Sequence, residues 1–392
     1  MSAPAPAALP ASLETAGRAG LVAFVLGAAV CAWGVATDPA QFYRSYLTGY
    51  VWMLGFALGP LGILMLHHLS RGVWGVMIRR PLEAAARTLP LAAVLFLPIV
   101  PGMHDLYEWT HAEVVAKDPL LLHKAPWLNV PGFLLRAALY FAVWIGFTFV
   151  LSGLSQRQDR TGDPSLWVRM RSLSAAGVIL YVVTMSFASM DWMMSLTPHW
   201  YSTIYGLYAV IGQSVTAMAF VALVVLALGS GGSPAVPFQK RHLHDYGKLL
   251  FAFVLVWTYF GVSQFLIIWS GNLPEETSWY VPRMHGAWKA TSVVLVLLHY
   301  VLPFFLLLSR DRKRSARRLA PVAALLLVTR WLDVHWLVAP AFSGERFSLH
   351  VLDVAAPVAL GGAFLWAFVR QLKERALLPA HDPFLKEALA HE

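Results

Sequence analysis

The sequence predicts an all-α polytopic membrane protein with ten transmembrane helices, and both its composition and the placement of its charges support this. The 392 residues are 58% hydrophobic and 13% charged, with a mean hydropathy of +0.60. Soluble domains carry about 25% charged residues. Here the charges lie in short stretches between apolar segments of about 20 residues or more, the length that crosses ~30 Å of hydrocarbon. This pattern excludes an ordinary soluble domain.

The apolar segments place the ten helices at about 17–37, 43–68, 83–103, 131–153, 166–190, 204–229, 246–271, 286–309, 317–339 and 350–371. Residues 1–16 are rich in Ala and Pro and contain no basic cluster, so they predict a flexible tail rather than a cleavable signal peptide. Residues 17–372 then form one membrane domain, and 373–392 form a cytoplasmic tail. The helices divide into two four-helix bundles, the second to fifth and the sixth to ninth, with the first and tenth peripheral.

Basic residues predict the orientation in the membrane. The connections after the second, fourth, sixth and eighth helices contain Arg71, Arg79, Arg80, Arg157, Arg160, Lys240, Arg241, Arg310, Arg312, Lys313, Arg314, Arg317 and Arg318. The other connections contain only Lys117, Lys124, Arg283 and Arg346 between their helix ends. Since cytoplasmic loops carry the excess of Lys and Arg, both termini are predicted to be cytoplasmic. The same alternation explains the net charge of +9 without nucleic-acid binding.

The single cysteine restricts the cofactors that the chain could hold. Cys31 lies within the first apolar segment. One cysteine excludes a disulfide framework, a covalently attached c-type haem and a self-contained iron–sulfur or cysteine-ligated zinc site. A b-type haem needs two histidines at matched depth on facing helices, and only His299 lies clearly near the midplane. Nucleotide-binding loops, HExxH and nucleophile elbows are also missing. The sequence therefore predicts no catalytic residue and no metal site in this chain.

Two helices carry polar stripes into the membrane. On the eighth helix the stripe comprises His285, Lys289, Ser292 and His299, and on the fifth it comprises Ser174, Tyr181, Thr184 and Asp191. At about 3.6 residues per turn, each set falls on one face. Hydroxyl groups commonly join membrane helices, but such a bond returns only about 0.6 kcal/mol. A charge at depth costs ~2.5–3.5 kcal/mol, so Lys289 and His299 favour a functional role.

Further ionisable residues lie in or near the membrane. Arg330 and Asp333 are spaced i,i+3, which suits either a structural ion pair or a step in a proton relay. Asp353 lies near the outer end of the tenth helix, where water reaches it. His67 and His68 lie at the cytoplasmic end of the second helix and are expected to be interfacial. The outer loops contain His104, Asp105, Glu108, His111, Glu275 and Glu276, for which docking to a partner is a better explanation than catalysis.

Two long stretches carry a resemblance to a known family. The first runs from Asp191 to Gly206 (DWMMSLTPHWYSTIYG), and it resembles the segment after the fifth helix in NrfD-like subunits of bacterial alternative complex III. The second runs from Phe265 to Tyr280 (FLIIWSGNLPEETSWY) and is similar to the shorter of the two NrfD-like subunits, the ActF type. The shorter stretches HYVLPF from His299 and DVHWLVAP from Asp333, with the Asp-Pro at 382–383, agree with it.

The resemblance implies a subunit of a quinol:cytochrome c oxidoreductase in the bacterial inner membrane. The partners would be a longer NrfD-like quinol-binding subunit, an iron–sulfur subunit, multihaem and monohaem cytochrome c subunits and small membrane subunits. Haem c and the iron–sulfur clusters would belong to those partners. This chain would bind no metal, although menaquinone or ubiquinone could bind. In such complexes quinol oxidation is assigned to the longer subunit, and the shorter one is a proposed proton route.

The sequence thus predicts an accessory membrane subunit that scaffolds the redox subunits and contributes a proton pathway or a quinone-adjacent site. The pathway would use Tyr181, Thr184, Asp191, His199, His285, Lys289, Ser292, His299, Arg330, Asp333 and Asp353. One alternative is a quinol-binding NrfD-like anchor of a molybdenum-dependent reductase, although such anchors usually have eight or nine helices. Another is a secondary transporter, although here the prolines lie mostly near helix ends. A purely structural scaffold is the third.

Overall fold

The computed structural model describes residues 9–229, 236–344 and 347–390, and this part of the chain contains ten helices long and apolar enough to cross a membrane. They are α1 (Ala11–Thr37), α2 (Pro39–Ser70), α3 (Val76–Ile99), α4 (Val130–Thr161), α5 (Ser165–Trp192), α6 (Tyr205–Gly229), α7 (Lys240–Gly271), α8 (Gly286–Leu308), α9 (Ala316–Val338) and α10 (Val351–Lys373). The described residues include no strand. The prediction of an all-α polytopic membrane protein is confirmed.

Several helices are longer than hydropathy predicts. Helix α1 begins at Ala11, inside the stretch predicted to be a tail, and residues 1–8 lie outside the described part of the chain. Helix α2 begins at Pro39, where Asp38 accepts a hydrogen bond from the Gln41 amide at 3.1 Å and caps the first turn. Polar capping residues lie outside the hydrocarbon layer. A search for apolar segments therefore misses the helical turns that begin at these residues.

The helices form the predicted two bundles. Helices α2–α5 pack together, as do α6–α9, and the bundles meet where α6 contacts α2 and α5 and where α9 contacts α2. Helix α10 packs on α2, and α1 packs on α10 at the periphery. Glycines allow the close approaches: a Cβ on Gly59 of α2 would lie 2.4 Å from the Gln213 carbonyl oxygen of α6.

The start of α1 and the end of α10 lie on one face, called the inner face below. Glu14 near the start of α1 pairs with Lys373 at the end of α10 at 2.7 Å. The connections after α1, α3, α5, α7 and α9 lie on the opposite, outer face. Residues 374–390, the C-terminal segment, do not form a free tail: the Asp382 carboxylate is buried against Arg79, and Phe384 packs on Trp167. The predicted outer residue Arg346 lies outside the described residues.

Helix α8 is interrupted by a π turn at Val296–Val301. Pro303 follows two residues later and has no amide hydrogen to donate, which favours the irregular turn before it. The buried residues of α8 before and within the turn are Trp288, Thr291, Leu295 and His299. His299 lies within this turn and is buried in the protein interior.

Candidate functional site

A cavity of about 330 Å³ lies within the second bundle, between α6, α7, α8 and α9. Six of its sixteen lining residues are aromatic: Tyr208, Trp257, Phe265, Tyr280, Tyr300 and Trp336. Helix α7 contacts α8 at the π turn and beyond it toward the inner face. The exposed side chains of Val262 and Val296 line the cavity between these helices. The cavity is thus bordered on this side by apolar side chains exposed on the outside of the bundle.

The polar floor of the cavity is Asp333, which is fully buried. The Arg330 guanidinium forms an ion pair with its carboxylate, as the i,i+3 spacing allows. The Tyr208 hydroxyl donates a hydrogen bond to Asp333 Oδ1 at 2.8 Å. Room for the guanidinium exists because residue 212 is glycine: a Cβ there would lie 2.4 Å from an Arg330 nitrogen.

Hydrogen bonds connect the outer surface to the cavity wall. The Ser202 hydroxyl, in the loop after α5, donates to Gln264 Oε1 at 2.9 Å. Gln264 Nε2 donates to the Tyr280 hydroxyl oxygen at 3.0 Å. Burial raises the pKa of Tyr280 to about 12, so this hydroxyl keeps its hydrogen at neutral pH and can donate it. The two long stretches that carry the family resemblance therefore contact each other here, and the Trp200 and Trp279 rings also stack at 4.6 Å between centroids.

His299 lies behind the cavity wall, with its ring centroid 4.3 Å from that of Trp257. Its Nδ1 is 2.6 Å from the Thr329 hydroxyl oxygen, and that hydroxyl donates to the Leu325 carbonyl at 3.0 Å. When the Thr329 hydroxyl donates to this carbonyl, the histidine carries its hydrogen on Nδ1, and Nε2 is then an acceptor. Within the described residues this buried Nε2 has no hydrogen-bond partner. His299 thus retains a lone pair that could accept a proton.

A second, much smaller cavity of about 10 Å³ lies where the two bundles meet. It is lined by Gln213, Thr216 and Arg330, among others. This volume suits about one water molecule, which needs two to four polar partners of this kind. The Tyr181 hydroxyl donates to Gln213 Oε1 at 3.0 Å. The small cavity therefore joins the polar stripe of α5 to the ion pair of the second bundle.

The stripe predicted on α5 is confirmed as one buried face. Its members are Ser174, Tyr181, Thr184 and Asp191, and each has a hydrogen-bond partner. Ser174 lies 2.8 Å from Nδ1 of His68, and Thr184 accepts a bond from the Trp144 indole at 2.8 Å. Two turns of helix, or about 10 Å, separate Ser174 from Tyr181. The same two turns separate Thr184 from Asp191, so the stripe comprises three separate sets of contacts.

Asp191 is held by four donor groups at the outer end of this stripe. Arg136 donates to both carboxylate oxygens at 2.8 Å, Tyr140 donates to Oδ2 at 2.8 Å, and the Trp127 indole donates to Oδ1 at 3.0 Å. A carboxylate has about four acceptor positions. Because all are used, Asp191 has the geometry of a structural lock between α4 and α5.

The stripe predicted on α8 is not buried along its length. His285 and Lys289 are exposed, Ser292 is half-buried, and only His299 is buried. Lys289 follows Trp288, which points to the core, so its own side chain is turned about 100° away. It also lies in the first turn of α8, near the outer end, so the cost of a charge at depth does not apply to it. Ser292 lines the cavity and accepts a bond from the Trp336 indole at 2.8 Å.

Two other residues of the predicted pathway lie away from the cavity. His199 is 51% exposed and its Nε2 lies 2.5 Å from Asp118 in the neighbouring outer loop. The hydrogen bond from His199 lowers the pKa of Asp118. Asp353 caps α10, accepting bonds from the Ser45 hydroxyl at 2.6 Å and the His350 amide at 2.8 Å. Both contacts have the geometry of structural links.

The residues predicted to dock partners lie on the outer loops. His104, Asp105, Glu108 and Glu275 are exposed, and His111 and Glu276 are half-buried. The rings of His104 and His111 stack at 3.8 Å between centroids. These side chains are accessible on one face, while their role in docking stays a prediction.

Arg283 is a buried outer residue whose role the sequence did not indicate. Its guanidinium donates to the carbonyls of Trp279 at 2.6 Å, Leu337 at 2.9 Å and Trp336 at 3.2 Å. Two of these carbonyls belong to the C-terminal end of α9, where backbone acceptors lack helical partners. Burial lowers the pKa of Arg283 to about 9, so it remains charged at neutral pH.

The inner end of the first bundle contains a buried ionic network. Its members are Arg79, Arg80, Glu83, Asp159, Arg375 and Asp382. Arg79 pairs with Glu83 at 3.1 Å and with Asp382 at 2.7 Å. The expectation that His67 and His68 are interfacial is wrong, because both are buried under this network. The i,i+4 spacing of Arg79 and Glu83 could have predicted their ion pair from the sequence, whereas no sequence pattern indicated the pairing with Asp382.

Comparison with models of protein families finds no match, and comparison with curated proteins finds none either. Within the described residues, no three His, Cys, Asp or Glu side chains are gathered as ligands for a metal ion. The absence of a redox centre in this chain stays a prediction. The chemistry that the geometry offers is hydrogen bonding and proton exchange around an apolar cavity.

Proposed function

We propose that this chain is the shorter NrfD-like subunit of a quinol-oxidising respiratory complex, of the alternative complex III type, in a bacterial inner membrane. One observation carries the proposal. Three of the five stretches that resemble that family come together at one cavity: the second long stretch contributes Phe265 and Tyr280, and the two shorter ones contribute Tyr300, Asp333 and Trp336. His299 from the same stretches lies directly behind its wall.

In this proposal the chain moves protons, and partner subunits carry the electrons on haem c and iron–sulfur clusters. Protons from the outer face would pass Ser202, Gln264 and Tyr280 into the cavity. Asp333 would exchange them there, because a carboxylate beside a cavity can bind and release a proton. The Tyr208 hydroxyl can relay a proton to it, and Arg330 holds it in place.

His299 would be the second proton-exchanging group. An imidazole ring can accept a proton at one nitrogen and release one from the other, which suits a relay. Its Nε2 atom has no partner among the described residues, while Nδ1 is fixed by Thr329. Asp191 and Asp353 would instead hold helices together, since their acceptor positions are engaged. The exposed outer residues, such as Glu108 and Glu275, would face the cytochrome c and iron–sulfur subunits.

The cavity itself supports a second candidate function, quinone or quinol binding on this chain. Its volume of about 330 Å³ falls in the range of small-molecule sites, and lipid-facing side chains border it. Aromatic rings suit a flat headgroup, the Tyr280 hydroxyl can donate to a carbonyl, and Asp333 can accept from a hydroxyl. A bound quinol would supply two electrons and two protons. This candidate also fits the quinol-binding anchor of a molybdenum-dependent reductase.

Membership of the complex is tested by purifying the affinity-tagged chain from its native membrane in mild detergent. We expect a multi-subunit assembly with the absorption spectrum of c-type haem and with iron–sulfur clusters. A haem-free chain that purifies alone, with no redox subunit in the membrane extract binding to it, would refute the proposal.

The proton route is tested in the intact complex with Asp333→Asn and His299→Ala. We expect turnover and proton uptake per electron to fall by about tenfold or more, because positioned acid–base groups typically contribute at least that. Tyr259→Phe is the control, since Tyr259 is exposed on α7. Unchanged turnover and proton uptake in both variants would remove these residues from any route. Saturable quinone binding to the isolated chain, weakened by Tyr280→Phe, would favour the second candidate.

A further inference from the structure

Four basic side chains meet at the inner end of the second bundle. His244 and Lys248 lie on the first turns of α7, and Lys313 and Arg314 lie in the connection between α8 and α9. Lys248, Lys313 and Arg314 are all close enough to act electrostatically on His244. We call these four residues the inner cation cluster. The nearby acid Asp245 pairs with Lys248 at 3.4 Å and leaves the rest of the cluster uncompensated.

Lys313 distinguishes this cluster from basic residues that only set the orientation in the membrane and remain hydrated. Only 8% of its surface is exposed. Its aliphatic stem packs against Gly247, where an added Cβ would lie 2.5 Å from Lys313 Cγ. Its ammonium lies 5.6 Å from the centroid of the Phe251 ring. Burial, with a smaller contribution from Lys248, lowers the pKa of Lys313. No hydrogen bond or ion pair of this ammonium is present within the described residues.

Two further polar atoms of the cluster also lack partners. The Arg314 Nε atom and the His244 Nδ1 atom are buried, and neither has a hydrogen-bond partner in the described part of the chain. Orientation by the positive-inside rule requires only that basic residues remain in the cytoplasm, where water solvates them. Burying polar groups without acceptors costs free energy, so this arrangement favours an anion as the missing acceptor.

The surroundings indicate what kind of anion fits. The inner half of α8, directly before the cluster, presents Leu302, Phe305 and Leu308 outward, and Phe305 is 65% exposed. Such a surface faces lipid acyl chains. We propose that the inner cation cluster binds the phosphate of an anionic phospholipid, whose acyl chains lie along this face of α8. Basic pockets between membrane helices on the cytoplasmic side bind such headgroups.

The proposal is tested by native mass spectrometry of the full chain in mild detergent, with equal amounts of phosphatidylglycerol and phosphatidylcholine. We expect preferential retention of phosphatidylglycerol. Lys313→Gln should weaken it about fivefold, and Lys313→Gln with Arg314→Gln about 25-fold, because each cation near an anionic lipid contributes roughly that factor. Lys240→Gln is the matched control, since Lys240 is exposed at the start of the same helix. Equal retention of both lipids, or an equal effect of the control, overturns the proposal.

Two further measurements separate this proposal from its rivals. Inorganic phosphate at millimolar concentration should not displace the lipid; if phosphate alone binds with the same affinity and is lost in the same variants, the ligand is a free anion and the lipid proposal fails. The free energy of unfolding of lipid-free Lys313→Gln should be close to that of the wild type, because the substitution removes no hydrogen bond or ion pair and only a 5.6 Å approach to the Phe251 ring. A clear loss of stability without lipid would assign Lys313 a structural role instead.

Discussion

Replacing Asp191 by asparagine separates a structural lock from a proton relay. The amide keeps one oxygen, which can still accept from two of the four donors. Its NH2 group then faces the remaining donors, so two bonds are lost and Arg136 loses its counter-ion. Hydrogen bonds to charged groups contribute about 1.5–3 kcal/mol each. The Arg136 side chain is 15% exposed and can regain some hydration, so we expect a loss of about 3 kcal/mol, the lower end for a broken buried pair.

The measurement is the free energy of unfolding of the purified chain in mixed micelles, followed by helical circular dichroism. Asp105→Asn, in an exposed loop, is the matched control and should change the value by less than about 0.5 kcal/mol. In complexes that assemble, a lock predicts that Asp191→Asn leaves turnover and proton uptake per electron unchanged. Unchanged stability combined with lost proton uptake would refute the structural explanation and return Asp191 to the pathway.

Two further predictions concern buried arginines. Asp382→Asn should reduce the free energy of unfolding by about 3 kcal/mol, because Arg79 is fully buried and loses one of its two carboxylates. The same substitution should speed tryptic cleavage of the C-terminal segment. An unchanged cleavage rate would contradict the packing of this segment. Arg283→Met should cost about 3 kcal/mol in the same unfolding measurement, because three carbonyls lose their donor. Arg283→Lys should recover only part of this loss, since lysine lacks the planar fork, and full recovery would show that charge alone is sufficient.

The sequence predicted the helices because their apolar lengths are set by the thickness of the bilayer. It predicted the α5 stripe because that helix is regular, so residues such as Ser174 and Tyr181 share a face. The α8 stripe failed because periodicity shows which residues share a face but not which side of it is buried. Lys289 lies at the edge of the face that Trp288 buries, and the π turn then changes the register before His299.

Pairings between helices were mostly beyond the sequence. Arg330 and Asp333 could be paired because they lie one turn apart on one helix. Arg136 and Asp191 lie on different helices, and Arg79 and Asp382 are separated by almost the whole chain. Their contacts depend on how the bundles assemble, which local spacing does not specify. The cavity could not be predicted for the same reason, because its walls come from four separate helices.

The buried acids differ in how many acceptor positions remain open, and this difference decides where a proton could be exchanged. Asp191 accepts from four donors and Asp353 from three, counting Gln41 at 3.4 Å. Asp333 accepts from Tyr208 and Arg330 only and borders a cavity. A carboxylate has about four acceptor positions, so Asp353 keeps about one open, whereas Asp333 keeps about two and is the acid that borders the cavity. Proton exchange by this chain is therefore expected in the second bundle, with the acids at the helix ends serving its assembly.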